Sequence, residues 1–362
     1  MATKRVYNFS AGPSMLPLEV LEKAGSEITS YRGSGQSVME MSHRSKVFLS
    51  IFNKTKEDFA RLFAVPDDYE ILFLQGGATL EFAAAPMNLM TRTGKADYAI
   101  TGSFADKALK EAKKYGSVNI SATTAGCNHT RIPSQSELTL DPDASYFYYC
   151  ANNTIEGTEW HYIPDTGRVP IVCDMSSNIM SYPVDVSKFG IIFAGAQKNL
   201  APAGVTVVVI RKDLLGAAFP YTPVMLDLAA MVKDDSMHNT PPCWAIYMLG
   251  LVLEWVEENG GVANMEANRN LRSSIIYDCI DNSKLFRCPA QKDARSGMNV
   301  TFLSGNDELD KKFIAEAQEA GFVNIGGHRS VGGMRASMYN AMPIEGAEKL
   351  ADFIKSFEKR NA

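Results

Sequence analysis

The chain has 362 residues, more than a single compact core usually holds, so two domains are expected. Its net charge is −5 at pH 7, and it contains no long basic run, which argues against a nucleic-acid partner. No apolar stretch approaches the roughly 20 residues of a membrane span, and the N-terminus lacks the apolar core of a signal peptide, so a cytoplasmic protein is expected. The six cysteines are widely scattered, which predicts neither a disulfide framework nor a metal site.

Short apolar runs alternate with helical patterns from about residue 67 to residue 215. The runs are Glu70–Leu74, Ala96–Thr101, Ser145–Cys150, Val169–Cys173, Ile191–Ala194 and Val205–Ile210. This alternation predicts an α/β fold with a mainly parallel sheet that helices cover on both faces. Ligands bind at the carboxyl ends of the strands in such sheets, so the chemistry is expected just after each run.

The pattern changes after Pro241-Pro242, where a long amphipathic helix is predicted over Trp244–Glu258. Further elements alternate beyond it: Met265–Ile280 (helix), Met298–Leu303 (strand), Glu308–Ala320 (helix), Gly333–Tyr339 (extended) and Glu345–Lys359 (helix). We therefore predict a large domain over 15–258 and a smaller α+β domain over 259–362. The N-terminal segment 1–14 is expected to pack near the active site.

A lysine follows one of the predicted strands in the stretch GIIFAGAQKNLAPA, at Lys198. A lone lysine in this position is usually a solvated loop residue. Here the small residues Ala194–Ala196 allow a bulky ring to approach the backbone. A partly desolvated lysine amine can attack an aldehyde, so the stretch is typical of a Schiff-base lysine.

Two upstream features complete a pattern. Asp174 ends the apolar run of VPIVCDMSSN; it could simply cap a helix, but a carboxylate near a Schiff-base lysine would hold the pyridine nitrogen of pyridoxal phosphate. In EILFLQGGATLEF, a strand runs into Gly76-Gly77 before a predicted helix start. This could be a plain turn, but glycines before a helix N-terminus also form anion cradles.

At the level of whole motifs, the chain resembles the phosphoserine aminotransferases, a family of class-V, fold-type-I pyridoxal-phosphate enzymes. The motifs are NFSAGP (8–13), MEMSHRS (39–45), FAGAQKN (193–199), MHNTPP (237–242) and GHRSVGGMRASMYNAMP (326–343). The resemblance implies a seven-stranded sheet in the large domain and one pyridoxal 5'-phosphate per subunit, bound as a Schiff base on Lys198. It also implies a homodimer with shared active sites.

The resemblance assigns roles to individual residues. Lys198 and Asp174 are the catalytic residues, and the cofactor-binding set is Ala78, Thr79, Phe104, Thr154, Asp174, Gln197, Lys198, Asn239 and Thr240. Asn239 and Thr240 would reach the cofactor phosphate of the neighbouring subunit. Phe104 stands where the family often has tryptophan, so stacking on the ring should persist with less contact area.

The substrate-binding set implied in the same way is Ser10, His43, Arg44, His328, Arg329 and Arg335. Arg335 would clamp the α-carboxylate in a bidentate pair, and the two His-Arg pairs would bind a distal phosphate or carboxylate. Some relatives carry an arginine in the segment matching Ala78-Thr79-Leu80, and this chain does not. Phosphate binding is therefore expected to depend on the other cations.

The activity implied is reversible transamination between L-glutamate and 3-phosphohydroxypyruvate, giving O-phospho-L-serine and 2-oxoglutarate in serine biosynthesis. A side role with 3-hydroxy-2-oxo-4-phosphooxybutanoate in vitamin B6 synthesis is also open. One alternative is another class-V enzyme, such as a serine–glyoxylate aminotransferase or a desulfurase, although a desulfurase needs a cysteine on an exposed mobile loop. The other is a non-catalytic binding protein on the same fold.

Overall fold

The described part of the chain alternates strands and helices over most of its length; the computed structural model describes residues 5–361. The strands are β1 Tyr7–Asn8, β2 Tyr69–Leu74, β3 Lys95–Ile100, β4 Ser117–Thr123, β5 Phe147–Cys150, β6 Asn152–Asn153, β7 Thr158–Glu159, β8 Ile171–Asp174, β9 Ile191–Gly195, β10 Thr206–Arg211, β11 Asn299–Phe302, β12 Phe322–Val323 and β13 Met334–Ser337. The helices are α1 Leu18–Glu27, α2 Lys46–Leu62, α3 Gly77–Leu89, α4 Ser103–Ala112, α5 Leu228–Lys233, α6 Cys243–Glu258, α7 Gly261–Asp281, α8 Asp307–Glu319 and α9 Ile344–Asn361.

The main sheet has seven strands in the order β2-β10-β9-β8-β5-β3-β4. Only β10 runs against its neighbours, pairing antiparallel with both β2 and β9, and the other pairs are parallel. The prediction of a mainly parallel seven-stranded sheet is confirmed. Strands β5 and β8 are buried along their whole length, which is why they read as continuous apolar runs rather than alternating ones.

Helices cover this sheet on both faces, as predicted. On β2, Ile71 and Phe73 belong to a hydrophobic cluster that also holds residues of α2 and α6. Their neighbours Leu72 and Leu74 belong to a second cluster, which holds residues of α3 and α4. Successive side chains of a strand point to opposite faces, so this division places one helical layer on each side of the sheet.

A third hydrophobic cluster forms around α7, α8, α9 and the antiparallel pair β11–β13. Phe9 is fully buried in it, and β1 pairs in parallel with β12, so the beginning of the described chain is part of this C-terminal core. The domain boundary after residue 258 stays a prediction. Residues 1–4 of the predicted N-terminal segment and residue 362 lie outside the described residues.

No helix in the described part of the chain is both long and apolar enough to cross a membrane.

Candidate active site

A cavity of about 380 Å³ lies where the central strands end. Its walls include Cys150 at the end of β5, Asp174 at the end of β8, Gly195 at the end of β9 and the first turn of α3. The predicted site residues that line it are Ala78, Thr79, Phe104, Thr154, Asp174, Gln197 and Lys198. The cavity therefore occupies the edge of the sheet where the sequence pattern places the chemistry.

The amine of Lys198 is held by two hydroxyl groups inside this cavity. Its Nζ donates to Thr154 Oγ1 at 3.0 Å and to Ser177 Oγ at 2.7 Å. The two hydroxyl oxygens lie 2.6 Å apart, so they also hydrogen-bond to each other. Both Thr154 and Ser177 are buried, and the lysine itself is half-buried. The amine thus has a defined position.

Asp174 is the buried acid of the cavity, with 5% of its surface exposed. Burial raises the pKa of this carboxyl group, whereas the positive charge of Lys198 and hydrogen bonding from Ser176 act in the opposite direction. The Ser176 backbone N–H donates to Asp174 Oδ1 at 2.9 Å, which holds the carboxyl group in place. A buried carboxylate of this kind favours a cationic partner, such as a protonated ring nitrogen.

At the turn between β2 and α3, the first backbone N–H groups of the helix have no hydrogen-bond partner among residues 5–361. Gly76 and Gly77 have φ angles of 98° and 66°, in the left-handed region that glycine adopts without strain. A Cβ atom on Gly195 would come within 3.6 Å of the Ala78 nitrogen, so the end of β9 packs directly against this turn. A helix N-terminus with free N–H groups is a suitable site for a phosphate.

An aromatic ring forms one wall of the cavity. The Phe104 ring centroid is 5.5 Å from Lys198 Nζ and 5.0 Å from Lys107 Nζ. Phe104 is the second residue of α4, so its position depends on how this helix begins.

The N-terminal segment packs against the lysine turn. Ser14 N donates to Gln197 O at 2.9 Å, and the Ser14 hydroxyl donates to the Lys198 carbonyl. A Cβ atom on Gly12 would lie 3.5 Å from Lys198 Cγ. Ser10 does not line the cavity, and its hydroxyl accepts from Gly12 N at 3.4 Å.

Arg335 lies next to the cavity without lining it. Its Nη1 donates to the Thr154 carbonyl at 3.5 Å, while its buried Nε has no hydrogen-bond partner within the described chain. Burial lowers the pKa of Arg335, and the phenolic group of Tyr339 and then the carboxylate of Glu156 oppose this effect. The guanidinium group is therefore desolvated, and at least its Nε–H donor is available to a ligand.

The other four predicted substrate-binding residues do not line the cavity of this single chain. Arg44 and Arg329 are exposed, and neither forms an ion pair with any residue of the described range 5–361. His328 Nδ1 is hydrogen-bonded to Ser330 Oγ at 2.6 Å, and His43 Nε2 is buried without a partner in that range.

Asn239 and Thr240 are exposed on a loop beside the phosphate cradle. Gln75 Nε2 donates to the Thr240 carbonyl at 3.3 Å and to Asn239 Oδ1 at 3.4 Å. Gln75 directly precedes Gly76, so the loop lies next to the cradle, but it does not enter the cavity of its own chain.

Ser176 and Ser177 were not among the predicted site residues. Ser176 anchors Asp174 and also accepts from Gly195 N at 3.0 Å, which ties β8 to β9 at the cavity. Ser177 contacts the lysine amine directly. Their position two and three residues after the acid, just beyond the end of a buried strand, was the available signal.

These groups fit pyridoxal phosphate. The cavity offers an amine for its aldehyde, a buried carboxylate for its ring nitrogen, an aromatic wall and a glycine-lined helix N-terminus for its phosphate.

Comparison with known proteins agrees with this geometry. The model of the class-V aminotransferase family matches residues 6–350. The phosphoserine aminotransferase of Lysinibacillus sphaericus is 50% identical over 360 residues, covering 99% of each chain.

Solved structures are similar as well. The phosphoserine aminotransferase of Bacillus circulans subsp. alkalophilus matches with a TM-score of 0.97 and 44% identity, covering 99% of both chains. The pyridoxal-phosphate-bound phosphoserine aminotransferase of Trichomonas vaginalis matches with a TM-score of 0.93 and 40% identity, covering 97% of this chain and 100% of the other. The chain is a pyridoxal-phosphate-dependent enzyme, and it belongs to the phosphoserine aminotransferase family of the class-V aminotransferases.

Proposed function

We propose that this enzyme transfers an amino group reversibly between L-glutamate and 3-phosphohydroxypyruvate, giving O-phospho-L-serine and 2-oxoglutarate. The observation that carries the proposal is the Lys198 amine, held in a cavity beside the buried Asp174, in a chain whose phosphoserine aminotransferase relatives match it over its full length. A role in serine biosynthesis follows from the product. The vitamin B6 side activity and the cytoplasmic location stay predictions from the sequence.

The catalytic roles follow from the positions of the side chains. Bound pyridoxal phosphate would supply an aldehyde carbon and an electron-accepting pyridine ring. Asp174 would keep a proton on the ring nitrogen, and Phe104 would hold one face of the ring. The free Lys198 amine would take the α-proton of the amino acid and later return it, as general base and acid. Thr154 and Ser177 keep that amine in reach.

We assign the α-carboxylate of both substrates to Arg335. Its guanidinium group is desolvated and retains a donor without a partner, so an incoming carboxylate would satisfy it. The distal phosphate is assigned to His43, Arg44, His328 and Arg329. The absence of ion pairs at Arg44 and Arg329 within residues 5–361 supports this assignment, because both guanidinium groups are available to an anion.

We also propose that the working unit is a homodimer with shared sites. Asn239 and Thr240 are exposed beside the phosphate cradle, where they would contact a neighbouring subunit's cofactor. Two inactive variants test this: Lys198→Ala in one subunit and Thr240→Trp in the other. After subunit exchange, about a quarter of the wild-type turnover is expected, since half of the dimers are hybrids with one intact site each. Verified exchange without recovery of activity would contradict shared sites.

The substrate assignment is tested by a coupled assay with glutamate as donor and four acceptors: phosphohydroxypyruvate, pyruvate, oxaloacetate and glyoxylate. Phosphohydroxypyruvate should give the highest kcat/KM by far. A preference for glyoxylate would instead indicate a serine–glyoxylate type of enzyme, and no turnover with any acceptor would indicate a binding protein.

Variants that remove one positive charge test which residues bind the phosphate group in this assay. Arg44→Ala or Arg329→Ala should lower kcat/KM for phosphohydroxypyruvate by roughly 10- to 150-fold, because charge-assisted hydrogen bonds contribute about 1.5–3 kcal/mol each. Glutamate should lose less, since its distal carboxylate carries one charge where the phosphate carries nearly two. Arg335→Ala serves as the matched control and should impair both substrates alike. Equal losses for both substrates in the Arg44 and Arg329 variants would show that these residues do not recognise the phosphate group.

A further inference from the structure

The turn between β6 and β7 contacts three separate parts of the active site. The Thr154 hydroxyl accepts from Lys198 Nζ at 3.0 Å, and the Thr154 carbonyl accepts from Arg335 Nη1 at 3.5 Å. Two residues further along the turn, Glu156 reaches the beginning of α4, the helix that carries Phe104. Glu156 has no part in the roles assigned above.

Glu156 caps α4 from outside the helix. The residue that precedes the helix, Gly102, has no side chain to cap it, and Glu156 Oε1 instead accepts from Ser103 N at 2.8 Å and from Ser103 Oγ at 2.6 Å. A carboxylate at this end of a helix is favourable because the free N–H groups and the helix dipole are positive there. The cap fixes Ser103, and Phe104 is the next residue.

The approach between Glu156 and this helix is very close. A Cβ atom on Gly102 would lie 2.7 Å from Glu156 Oε2 and 2.6 Å from Asn153 Oδ1. A side chain at position 102 would therefore have to displace the ends of the Glu156 and Asn153 side chains. The backbone of Glu156 is held as well, since Thr301 Oγ1 donates to its carbonyl at 3.3 Å.

The second oxygen of Glu156 is buried and has no hydrogen-bond partner in the described chain. Glu156 as a whole is 8% exposed, so water does not shield its charge fully. Thr301, to which its backbone is bonded, pairs across strands β11 and β13 with Arg335. The negative charge of Glu156 favours the cationic form of Arg335, whose own Nε also lacks a partner among residues 5–361.

We propose that Glu156 is a positioning residue for the transamination reaction, with two separable effects. Through Oε1 it fixes the start of α4 and with it the ring of Phe104. Through its charge it acts as the resting counter-ion of Arg335, competing with the substrate's α-carboxylate for that guanidinium group. This proposal rests on the assignment of Arg335 to the α-carboxylate.

The counter-ion explains how a desolvated arginine stays available. A buried guanidinium group without a negative partner would be costly and would retain any small anion that entered. A nearby carboxylate that does not touch it offsets part of this cost and leaves its donors free. Binding of carboxylates is then weaker than the arginine alone would allow, and products leave faster.

Glu156→Gln and Glu156→Ala separate the two effects in the holoenzyme. Glutamine keeps an oxygen that accepts from Ser103 but has no charge, whereas alanine loses both. The ligand probe is glutarate, a dicarboxylate that lacks the amine and cannot react, with its Kd measured by calorimetry. Cofactor affinity is measured separately by titrating the apoenzyme with pyridoxal phosphate. Glu137→Gln, on the surface and paired with Arg131, is the control substitution.

In Glu156→Gln, the Kd for glutarate and the KM for glutamate should fall by about tenfold, which corresponds to about 1.4 kcal/mol, with pyridoxal-phosphate affinity within about twofold of wild type. In Glu156→Ala, glutarate should bind more tightly in the same way, but pyridoxal phosphate should bind about fivefold more weakly, since the lost helix cap contributes about 1 kcal/mol. Unchanged or weaker glutarate binding in the glutamine variant would overturn the counter-ion role. An equal loss of cofactor affinity in both variants would overturn the positioning of Phe104 through Oε1.

Glutarate binding does not depend on which keto acid the enzyme uses. A failure of the phosphohydroxypyruvate assay would therefore leave this test intact, and the two proposals can fail separately.

Discussion

A buried carboxyl group on α3 makes the stability of this enzyme depend on pH. Glu81 is 2% exposed, and its carboxyl group forms no hydrogen bond or ion pair with any described residue. Burial raises its pKa from 4.5 to about 8, so the folded protein holds it as the neutral acid at pH 7. Glu81 precedes Phe82, which lines the active-site cavity.

The sign of the effect follows from proton linkage. Below pH 4.5 both the folded and the unfolded chain carry the proton on Glu81, and the group makes no difference. Between that pH and about 8 only the unfolded chain releases the proton, so stability falls as the pH rises. Each pH unit in this window costs at most about 1.4 kcal/mol, or about 3 kcal/mol between pH 5 and pH 7.5.

Glu81→Gln removes this dependence, because the amide has nearly the same shape and does not ionise. The free energy of unfolding is measured with urea at pH 5 and pH 7.5. The difference between variant and wild type should be about 3 kcal/mol more in favour of the variant at pH 7.5 than at pH 5. The corresponding gain in Tm is about 4 °C for a chain of this length. Glu57→Gln, on the exposed side of α2, serves as the control. The same wild-type-to-variant difference at both pH values would show that Glu81 does not ionise with the raised pKa.

Three substitutions in the cavity give further expectations. Lys198→Ala should lose the visible absorbance band of the lysine-bound cofactor, measured by spectrophotometry. Its turnover in the coupled assay should fall by about 10²- to 10⁴-fold, and wild-type turnover would contradict the catalytic role of Lys198. Asp174→Asn should lower kcat by roughly 10- to 150-fold, since a charge-assisted hydrogen bond to the ring nitrogen is lost, and an unchanged kcat would exclude that bond. Ser177→Ala removes one of two hydroxyl groups from the Lys198 amine and should lower kcat about tenfold in the same assay, whereas an effect on KM alone would show that Ser177 does not act through the amine.

The sheet was predictable wherever its strands are buried on both faces. Strands β8 and β9 appear as apolar runs because neither face meets water. Strand β4 was not among the predicted runs. It lies at the edge of the sheet, largely exposed, and its sequence SVNISAT mixes polar and apolar residues without a continuous run. The helices α1 and α2 were likewise not predicted.

The site was predictable to the extent that chain order reflects strand order. Asp174 ends β8 and Lys198 follows β9; these strands are neighbours in the sheet, so the proximity of the two residues follows from the topology. The hydroxyl network around the lysine did not follow, because Thr154 and Ser177 come from different strand ends and serine and threonine are common everywhere. The role of Glu156 could not be predicted either, since it depends on a tertiary contact with Ser103 over 53 residues of sequence.

The distribution of charge in the site bears on how one active site can serve two different amino acids. The buried part of the site holds charges at defined places: Asp174 on one side, Lys198 at the centre and Arg335 beside Thr154. In the roles proposed above, these groups would bind what glutamate and phosphoserine share, which is the α-amino group and the α-carboxylate. The cations assigned to the distal group, by contrast, include exposed arginines without ion pairs in residues 5–361. An arginine on the surface can adjust its position to a single-charged carboxylate or a double-charged phosphate at little cost, whereas a buried one cannot. Rigid recognition of the common end and adaptable recognition of the variable end would thus allow both half-reactions to take place in one cavity.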